Sequence, residues 1–311
     1  MTQERQGYAS EVELNALRLR YIDMARGLPI SVLFNTTVFA GNLHEMAGLV
    51  NFFVQHNDVV RFASFQLGAD TERGSVTGRD ATLVTQASVC AAIEQGAGVP
   101  LNFDALHSGH RACNRYAMLV TIGAQRFDAL ADGEFVARVM RDTANTAFER
   151  DQGFRGAWAL GKALLGKRHL WGGFVRLALG MVWQARRQWL VKRLPGLRVP
   201  PVRKISFFTH NFMDACDLDA ERIDACVFMA ATVDGPMAMC AYNDEPDNFL
   251  FKPIRLASGE TWQPLALAPD ANGEVKIPLK WLKGKARDAA MARRGRPMAR
   301  TISGPMTQAA P

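Results

Sequence analysis

The chain has 311 residues, 48% hydrophobic and 22% charged, which is enough apolar material for a large core and excludes a disordered chain, a collagen-like repeat or a small disulfide-dependent scaffold. No stretch reaches the roughly 18 to 20 uncharged apolar residues of a membrane-spanning helix, so we do not expect the chain to cross a bilayer. The formal net charge of +7 is unevenly distributed, because two basic segments are joined to an otherwise acidic chain.

The N-terminal residues MTQERQGYASEVEL are polar and mixed in charge, and they lack the apolar segment of a signal peptide. A cytoplasmic location is therefore expected. Apolar residues then recur at helical spacing over residues 11–26, up to Gly27 and Pro29, and this pattern predicts the first helix.

A strand–helix–strand unit follows. Residues 29–38 form a β-branched and aromatic run typical of a strand, residues 45–55 have helical spacing, and residues 59–67 predict a second strand. A unit of this length is typical of parallel strands joined by a crossover helix. Beyond it, residues 81–95 predict a helix and residues 101–103 a short extended segment. The fold class expected from this order is α/β.

The loops that follow the two strands are the first candidate functional site, because ligands of parallel α/β folds bind at the carboxyl ends of the strands. These loops span residues 37–45 and 66–79, and Gly41 permits close approach of a ligand. Asn42 and Glu45 also have the spacing of residues that cap the following helix. The spacing alone is consistent with either role.

A basic segment occupies the middle of the chain. Twelve Lys or Arg residues and no Asp or Glu lie between Gln152 and Phe212. The segment also holds four of the six tryptophans, Trp158, Trp171, Trp183 and Trp189. Basic residues with Trp are typical of a helix at an anionic membrane surface, and the alternative is a core-packing helical hairpin with a solvated basic face, broken at Gly172-Gly173. No nucleic-acid-binding motif is present, so nucleic acid is not an expected partner.

The C-terminal tail, from Lys283 to Pro311, carries seven basic residues against one acidic residue. It is rich in Ala, Gly, Pro and Met and has no sustained apolar period, which predicts disorder.

Several segments together resemble the C-terminal half of radical S-adenosylmethionine (SAM) enzymes. They are PISVLFNTTVFAGNLHEM, VVRFASFQLGADTERG, HSGHRACNRY, HNFMD and a Cys-x13-Cys-x-Tyr-Asn element. Within that superfamily they are most similar to the branch of archaeal tetraether-lipid synthases and pterin-linked methylase-like proteins. The resemblance extends over residues 11–255.

The resemblance implies a partial radical-SAM-type (β/α) barrel, formed by the last strands of the barrel. The expected organisation is a partial barrel and following loop region over 1–150, a basic Trp-rich helical segment over 151–204, a small α+β cysteine-containing extension of auxiliary metal type over 205–282, and a disordered basic tail over 283–311.

The resemblance also implies that the strand ends bind the adenosyl group of SAM. The family's fifth barrel strand ends in TVxxGxNxxE, and the matching residues are Thr37, Val38, Gly41, Asn42 and Glu45, with Asn42 one place closer to the glycine. The sixth strand resembles the family's VVRGxxxQPVSFTGR, which implies that the strand end around Phe65 and Gln66 packs against adenine. Leu67-Gly68 stands where the family has Pro-Val.

The defining Cys-x3-Cys-x2-Cys of the superfamily, which holds the [4Fe-4S] cluster that binds SAM, does not occur in the chain. Segments for the first four barrel strands are also lacking.

A complete enzyme would form a 5′-deoxyadenosyl radical for C–H functionalisation. The substrate would be a lipid if the basic segment lies on the inner membrane face. This chain alone should not cleave SAM: it is either a fragment whose N-terminal half is supplied by another chain or lost, or a degenerate homologue. The alternative is a non-catalytic module that binds a membrane or a partner.

Cysteine and histidine residues form a second candidate site. The candidate ligands are His107, His110, Cys113, Cys216, Cys226 and Cys240. Thiolate and imidazole bind iron–sulfur clusters or zinc, and a turn at Asp234-Gly235 would bring Cys226 and Cys240 together. The alternative is a set of separate buried thiols. Structural disulfides are not expected, because five cysteines are an odd number in a chain without an export signal.

Overall fold

The computed structural model describes residues 8–70, 82–145, 158, 161–162, 164–191, 201–232, 234–244 and 252–262. The tail expected to be disordered, residues 283–311, lies outside the described residues. So do residues 71–79 of the second strand-end loop and the last part of the predicted extension, after residue 262.

The elements of the N-terminal part follow the predicted order. They are helix α1 (Asn15–Ala25), strand β1 (Val32–Val38), a 3₁₀ turn (Leu43–Glu45), helix α2 (Met46–Gln55), strand β2 (Val60–Leu67) and helix α3 (Gln86–Ala97). The predicted helix–strand–helix–strand order over residues 11–67 is therefore confirmed.

Helix α3 begins later than the sequence pattern predicts, because a capping box fixes its start. The Thr85 hydroxyl accepts a hydrogen bond from Ser88 N (3.0 Å), and the Ser88 hydroxyl accepts one from Thr85 N (2.9 Å). The segment predicted to be extended over 101–103 does not become a strand of the sheet. There the backbone N–H of Leu101 donates to Glu94 Oε1 (3.0 Å) and that of Asn102 donates to Asp128 Oδ2 (2.8 Å), so side chains replace a strand partner.

The remaining elements lie after residue 113. They are strand β3 (Asn114–Ile122), strand β4 (Gln125–Asp128), helix α4 (Gly133–Thr143), helix α5 (Arg168–Val191), strand β5 (Val202–Asn211), helix α6 (Ala220–Asp224), strand β6 (Met229–Thr232), strand β7 (Gly235–Ala238), helix α7 (Met239–Asp244), strand β8 (Ile254–Arg255) and strand β9 (Thr261–Trp262). The sequence analysis did not predict β3, β4 or β5.

One five-stranded mixed sheet organises the chain, with the strand order β1-β2-β5-β3-β4. β1, β2 and β5 are parallel, and β3 and β4 are antiparallel to their neighbours. The α/β class is confirmed, but no barrel is closed by the strands that the structure describes, because β1 and β4 lie at the two edges of the sheet. The expected boundary between residues 204 and 205 falls inside β5, which is the central strand.

Helices α2 and α3 cover one face of this sheet and form the main core. The fully buried side chains include Leu49, Phe53, Phe65, Ile93, Leu119 and Phe207. Side chains alternate between the two faces of a strand, so Phe62, Tyr116 and Phe208 lie on the opposite face, where they are half-buried. There the Phe62 ring contacts the rings of Tyr116 and Phe208. The face away from the helices is therefore aromatic.

Helix α5 forms within the basic segment and runs without interruption through Gly172-Gly173, so the break that belonged to the hairpin alternative does not occur. A Cβ at Gly173 would overlap the ring of Phe135 on α4, which shows how closely the two helices approach. The rings of Phe135 and Phe174 meet edge to face with centroids 4.9 Å apart. In the described part of the chain, no helix is long and apolar enough to cross a membrane.

Candidate functional site

The carboxyl ends of the three parallel strands lie side by side at one edge of the sheet. Val38 is paired with Leu67, and Leu67 is paired with Asn211, so the loops after β1, β2 and β5 leave the sheet together. This edge is where parallel α/β folds bind ligands. The sequence analysis predicted the first two of these loops as a site, and the third strand adds His210 and Asn211.

Asn42 fixes the loop after β1. Its side chain is buried, with an exposed fraction of 3%. Its amide nitrogen donates to Thr37 O (2.9 Å), and its amide oxygen accepts from Phe39 N (2.9 Å). The capping role considered for Asn42 and Glu45 is wrong, because neither side chain bonds the first turn of the following helix. The carboxylate of Glu45 instead accepts a hydrogen bond from Val12 N (2.9 Å) and ties the loop to the start of the chain.

We expect Asn42→Ala to lower the free energy of unfolding by about 2 kcal/mol, because a partly buried carbonyl and a partly buried N–H both lose their partner. Asn42→Asp should cost less, since it keeps the acceptor for Phe39 N. Urea unfolding at constant pH measures both effects. His44→Gln, an exposed neighbour, is the control and should leave stability unchanged. Equal stability of Asn42→Ala and His44→Gln would contradict the role given to the Asn42 amide.

The end of β2 presents two different faces. Phe65 is fully buried in the core against α2 and α3, so it offers a ligand only its backbone. Gln66 lies on the opposite face, where its side-chain oxygen accepts a hydrogen bond from Asn35 Nδ2 (3.4 Å). Gly68 N donates to Val38 O (2.8 Å) and continues the pairing of the two strands beyond their ends.

His210, at the end of β5, is enclosed by aromatic rings. The centroid of its ring lies 4.2 Å from that of Phe208, 5.3 Å from that of Phe212 and 4.0 Å from that of Phe228. Burial among these rings lowers the pKa of His210 to about 4, because the charged imidazolium is poorly solvated there. The side chain is therefore neutral near pH 7.

The structure brings the loop that carries HSGHRAC against the segment that carries Cys226. Gly109 has a positive φ of 71°, and a Cβ at this position would lie 2.7 Å from Ala225 O. Only glycine fits this close approach. Cys113, at the end of the loop, accepts a hydrogen bond from Arg222 Nε (3.2 Å).

The predicted hairpin between Cys226 and Cys240 is confirmed. β6 and β7 are antiparallel, with Thr232 paired with Gly235 across the turn, so the residues before β6 and after β7 return to the same place. Cys226 Sγ donates to Phe228 O (3.1 Å), and Cys240 Sγ accepts from Met213 N (3.4 Å).

The thiols of Cys113 and Cys226 both lie within electrostatic reach of the Cys240 thiol. Burial is the main cause that raises the pKa of Cys240, and the neighbouring Cys226 and Cys113 raise it further. The N–H of Met213 and the guanidinium of Arg222 act in the opposite direction, since both favour a thiolate. Arg222 was not predicted as a site residue, because nothing in its local sequence distinguishes it from other surface arginines.

The other candidate ligands are less closely associated with these thiols. His107 and Cys216 are exposed, and His110 Nδ1 accepts a hydrogen bond from Ala112 N (3.2 Å) within its own loop. Among the described residues, no three His, Cys, Asp or Glu side chains are placed so that they could hold a metal ion. Cys226 would have to release Phe228 O before its sulfur could act as a ligand together with the other two.

An apolar cavity that the sequence analysis missed lies beside α5. It has a volume of about 690 Å³, and its wall includes Leu101, Phe127, Phe135, Leu177 and Met181. Arg126 lies in the wall and donates from Nη1 to Gly96 O (3.1 Å) and Ala97 O (3.0 Å), so it satisfies the carbonyl end of α3. No sequence signal could have found the cavity, because the loop after α3, strand β4, helix α4 and helix α5 form it only when they pack together.

Comparison with known proteins adds no relative: no protein family and no curated protein matches the chain. The geometry by itself offers three features that can carry a function. They are the strand-end loops after β1, β2 and β5, the thiols of Cys113, Cys226 and Cys240, and the exposed side of α5.

Proposed function

We propose that this chain is the C-terminal portion of a radical SAM enzyme and supplies the last strands of its barrel. In a complete enzyme, SAM bound to a [4Fe-4S] cluster supplies a 5′-deoxyadenosyl radical for functionalisation of an unactivated C–H bond, here of a lipid. The chain has no Cys-x3-Cys-x2-Cys for that cluster. The proposal therefore assigns the chain a share of the barrel and of the SAM site, and assigns no activity to the chain alone.

The parallel arrangement of β1, β2 and β5 supports this proposal, because it gathers the strand ends that would hold the adenosyl group. The residues that would form this site are Thr37, Val38, Gly41, Asn42, Glu45, Phe65 and Gln66. Asn42 and Glu45 bond backbone groups of the chain itself, so their role is to hold the loop in shape. Thr37 and Gln66, which are only partly buried, are the side chains that would meet a ligand.

The partner implied by the proposal is an N-terminal half-barrel. β1 is an edge strand of the sheet that the structure describes, and Leu33 on it has an exposed fraction of 54%. A parallel sheet is normally buried on both faces. A strand of the partner that pairs with β1 would extend the sheet, and the half-buried Phe62 and Phe208 would then face the interior of the closed barrel.

The single observation that carries the proposal is that the segments of Cys113, Cys226 and Cys240 come together from distant parts of the chain: Gly109 packs on Ala225 O, Arg222 Nε donates to Cys113 Sγ, and the β6–β7 hairpin joins the segments of Cys226 and Cys240. Three thiols, two of which accept hydrogen bonds from Arg222 Nε and Met213 N, are ligands of the type that an iron–sulfur cluster or zinc requires, and Cys226 Sγ would have to turn away from Phe228 O to join the other two. These residues would hold an auxiliary iron–sulfur cluster or zinc. Arg222 and Met213 N–H would hold two of the sulfurs in place, and both favour the thiolate of Cys240.

Iron, zinc and acid-labile sulfide per chain, measured after anaerobic purification, test the proposal. We expect bound metal in the wild-type chain, and a loss of at least tenfold in each of Cys113→Ala, Cys226→Ala and Cys240→Ala. Cys90→Ala is the matched control, because burial raises the pKa of the Cys90 thiol to about 12 and keeps it protonated. It should retain the metal. His107→Gln, His110→Gln and Cys216→Ala then establish which of the other candidates complete the ligand set.

Wild-type chain that is folded and metal-free would contradict the proposed metal site. It would favour the second candidate function, a non-catalytic module that binds a partner or a membrane. The exposed apolar side chains of α5 are the observation that favours this alternative.

A further inference from the structure

Helix α5 has two apolar faces, and in the part of the chain that the structure describes only one of them packs against another element. The inner face packs on α4 through Gly173 and Phe174, and His169 Nε2 lies 2.5 Å from Asp142 Oδ2. Leu170, next to these residues, has an exposed fraction of 1%. These contacts between the inner face of α5 and helix α4 fix the position of α5. The outer face of α5 takes no part in them.

The outer face of α5 exposes large apolar side chains in a continuous row. They are Trp171, Val175, Leu179 and Val182, with exposed fractions of 46%, 56%, 62% and 65%. At 3.6 residues per turn these four positions fall within an arc of about 80° around the helix axis. Contiguous exposed apolar surface of this kind marks an interaction site. We call this row the outer stripe of α5.

The charge around the outer stripe identifies the chemistry of the occupant. The segment from Gln152 to Phe212 carries twelve Lys or Arg residues and no carboxylate. Arg168 and Arg176 on α5 are exposed near the outer stripe. A surface that is apolar along its centre and cationic around it complements an interface whose acyl boundary is apolar and whose headgroups are anionic.

The dimensions of α5 fit a helix that lies along such an interface. Its 24 residues extend for about 36 Å. In the part of the chain that the structure describes, no helix is apolar enough to cross a membrane, and the inner face of α5 is occupied by α4. Among its described side chains, the helix can therefore present the outer stripe, which extends from Trp171 to Val182 over about 16 Å along the helix axis.

We propose that α5 docks the protein onto an anionic lipid surface, with its axis in the membrane plane and the outer stripe in the boundary between headgroups and acyl chains. Arg168 and Arg176 contact the anionic headgroups, and Trp171 lies at headgroup level. This docking is independent of the radical SAM proposal, because it uses none of the strand-end residues or thiols.

Flotation of the full-length protein with vesicles tests the docking. The probes are phosphatidylcholine vesicles with and without phosphatidylglycerol, at low and high salt. We expect binding to the anionic vesicles, at least tenfold weaker binding to the neutral ones, and weaker binding at high salt. Binding to neither vesicle type, or equal binding to both, would overturn the proposal.

Two double variants locate the contact. Val175→Ser with Leu179→Ser removes two side chains from the middle of the outer stripe, and we expect at least tenfold weaker binding to anionic vesicles. Val12→Ser with Leu28→Ser removes two similarly exposed apolar side chains away from α5 and should bind like the wild type. All four positions are exposed, so both variants should fold, and circular dichroism verifies this. Unchanged binding of the α5 variant would refute the role of the outer stripe, whatever the metal content.

Discussion

Gly96→Ala will lower the free energy of unfolding by about 2 kcal/mol, although alanine is the better helix former. Gly96 lies in α3 where that helix meets α2. A Cβ at this position would lie 2.6 Å from Val50 Cβ and closer still to Ala47 O. Neither atom is the end of a flexible side chain, so the two helices must separate. Replacing glycine with alanine stabilises the helix by about 1 kcal/mol. The energetic cost of overpacking the core is larger than this gain.

Gly48→Ala is the matched control for this variant. Gly48 lies in α2, and a Cβ there would contact nothing within 4 Å. The same substitution should therefore raise the free energy of unfolding by about 0.5 to 1 kcal/mol. Urea unfolding followed by circular dichroism measures both variants. If Gly96→Ala also raises the free energy of unfolding, then helix propensity, and not the contact between α2 and α3, decides the effect at Gly96.

The elements between residues 11 and 67 could be predicted because their signals are local. Gly27 and Pro29 end one helix, and the alternation between strand and helix periods is visible over short windows. The start of α3 was predicted early because its capping box uses Ser88, where a Glu or Gln is the usual signal.

The order of the sheet could not be predicted in the same way. β5 lies at the end of the basic segment, yet in the sheet it lies between β2 and β3, and it pairs Ser206 with Phe62 across nearly half of the chain. No local pattern encodes a pairing of such sequence separation. The first five residues of β5, VRKIS, also carry the charge of the basic segment, which obscures the strand pattern that follows.

For the candidate sites too, the local turns could be predicted from the sequence and the long-range contacts could not. The glycine turn after β1 indicated a strand-end loop, but the partners of Asn42 depend on how that loop folds back over Thr37 and Phe39. The hairpin between Cys226 and Cys240 followed from its turn residues. The approach of Cys113 to Cys226 and Cys240 could not be predicted from turn residues, because it depends on Gly109 fitting against Ala225.

Acidification should destabilise the protein through His210, and its replacement by Phe should remove this effect. The pKa of His210 is about 4 in the folded protein, against about 6.5 in an unfolded chain. Between these values the unfolded state binds the proton more readily, so stability present above pH 6.5 is lost as the pH falls towards 4. The complete loss is about 3 kcal/mol, of which about 2 kcal/mol should be lost by pH 5.

Guanidinium unfolding of the wild type and of His210→Phe at several pH values from 7.5 to 4.5 measures this contribution. A phenylalanine fits the site because Phe208, Phe212 and Phe228 already surround it. The free energies of the two proteins should diverge below pH 6.5, with the wild type losing more. His44→Gln replaces an exposed histidine and should follow the wild-type curve. Parallel curves for the wild type and His210→Phe would mean that the rings open without cost to the fold, and that another group causes the acid sensitivity.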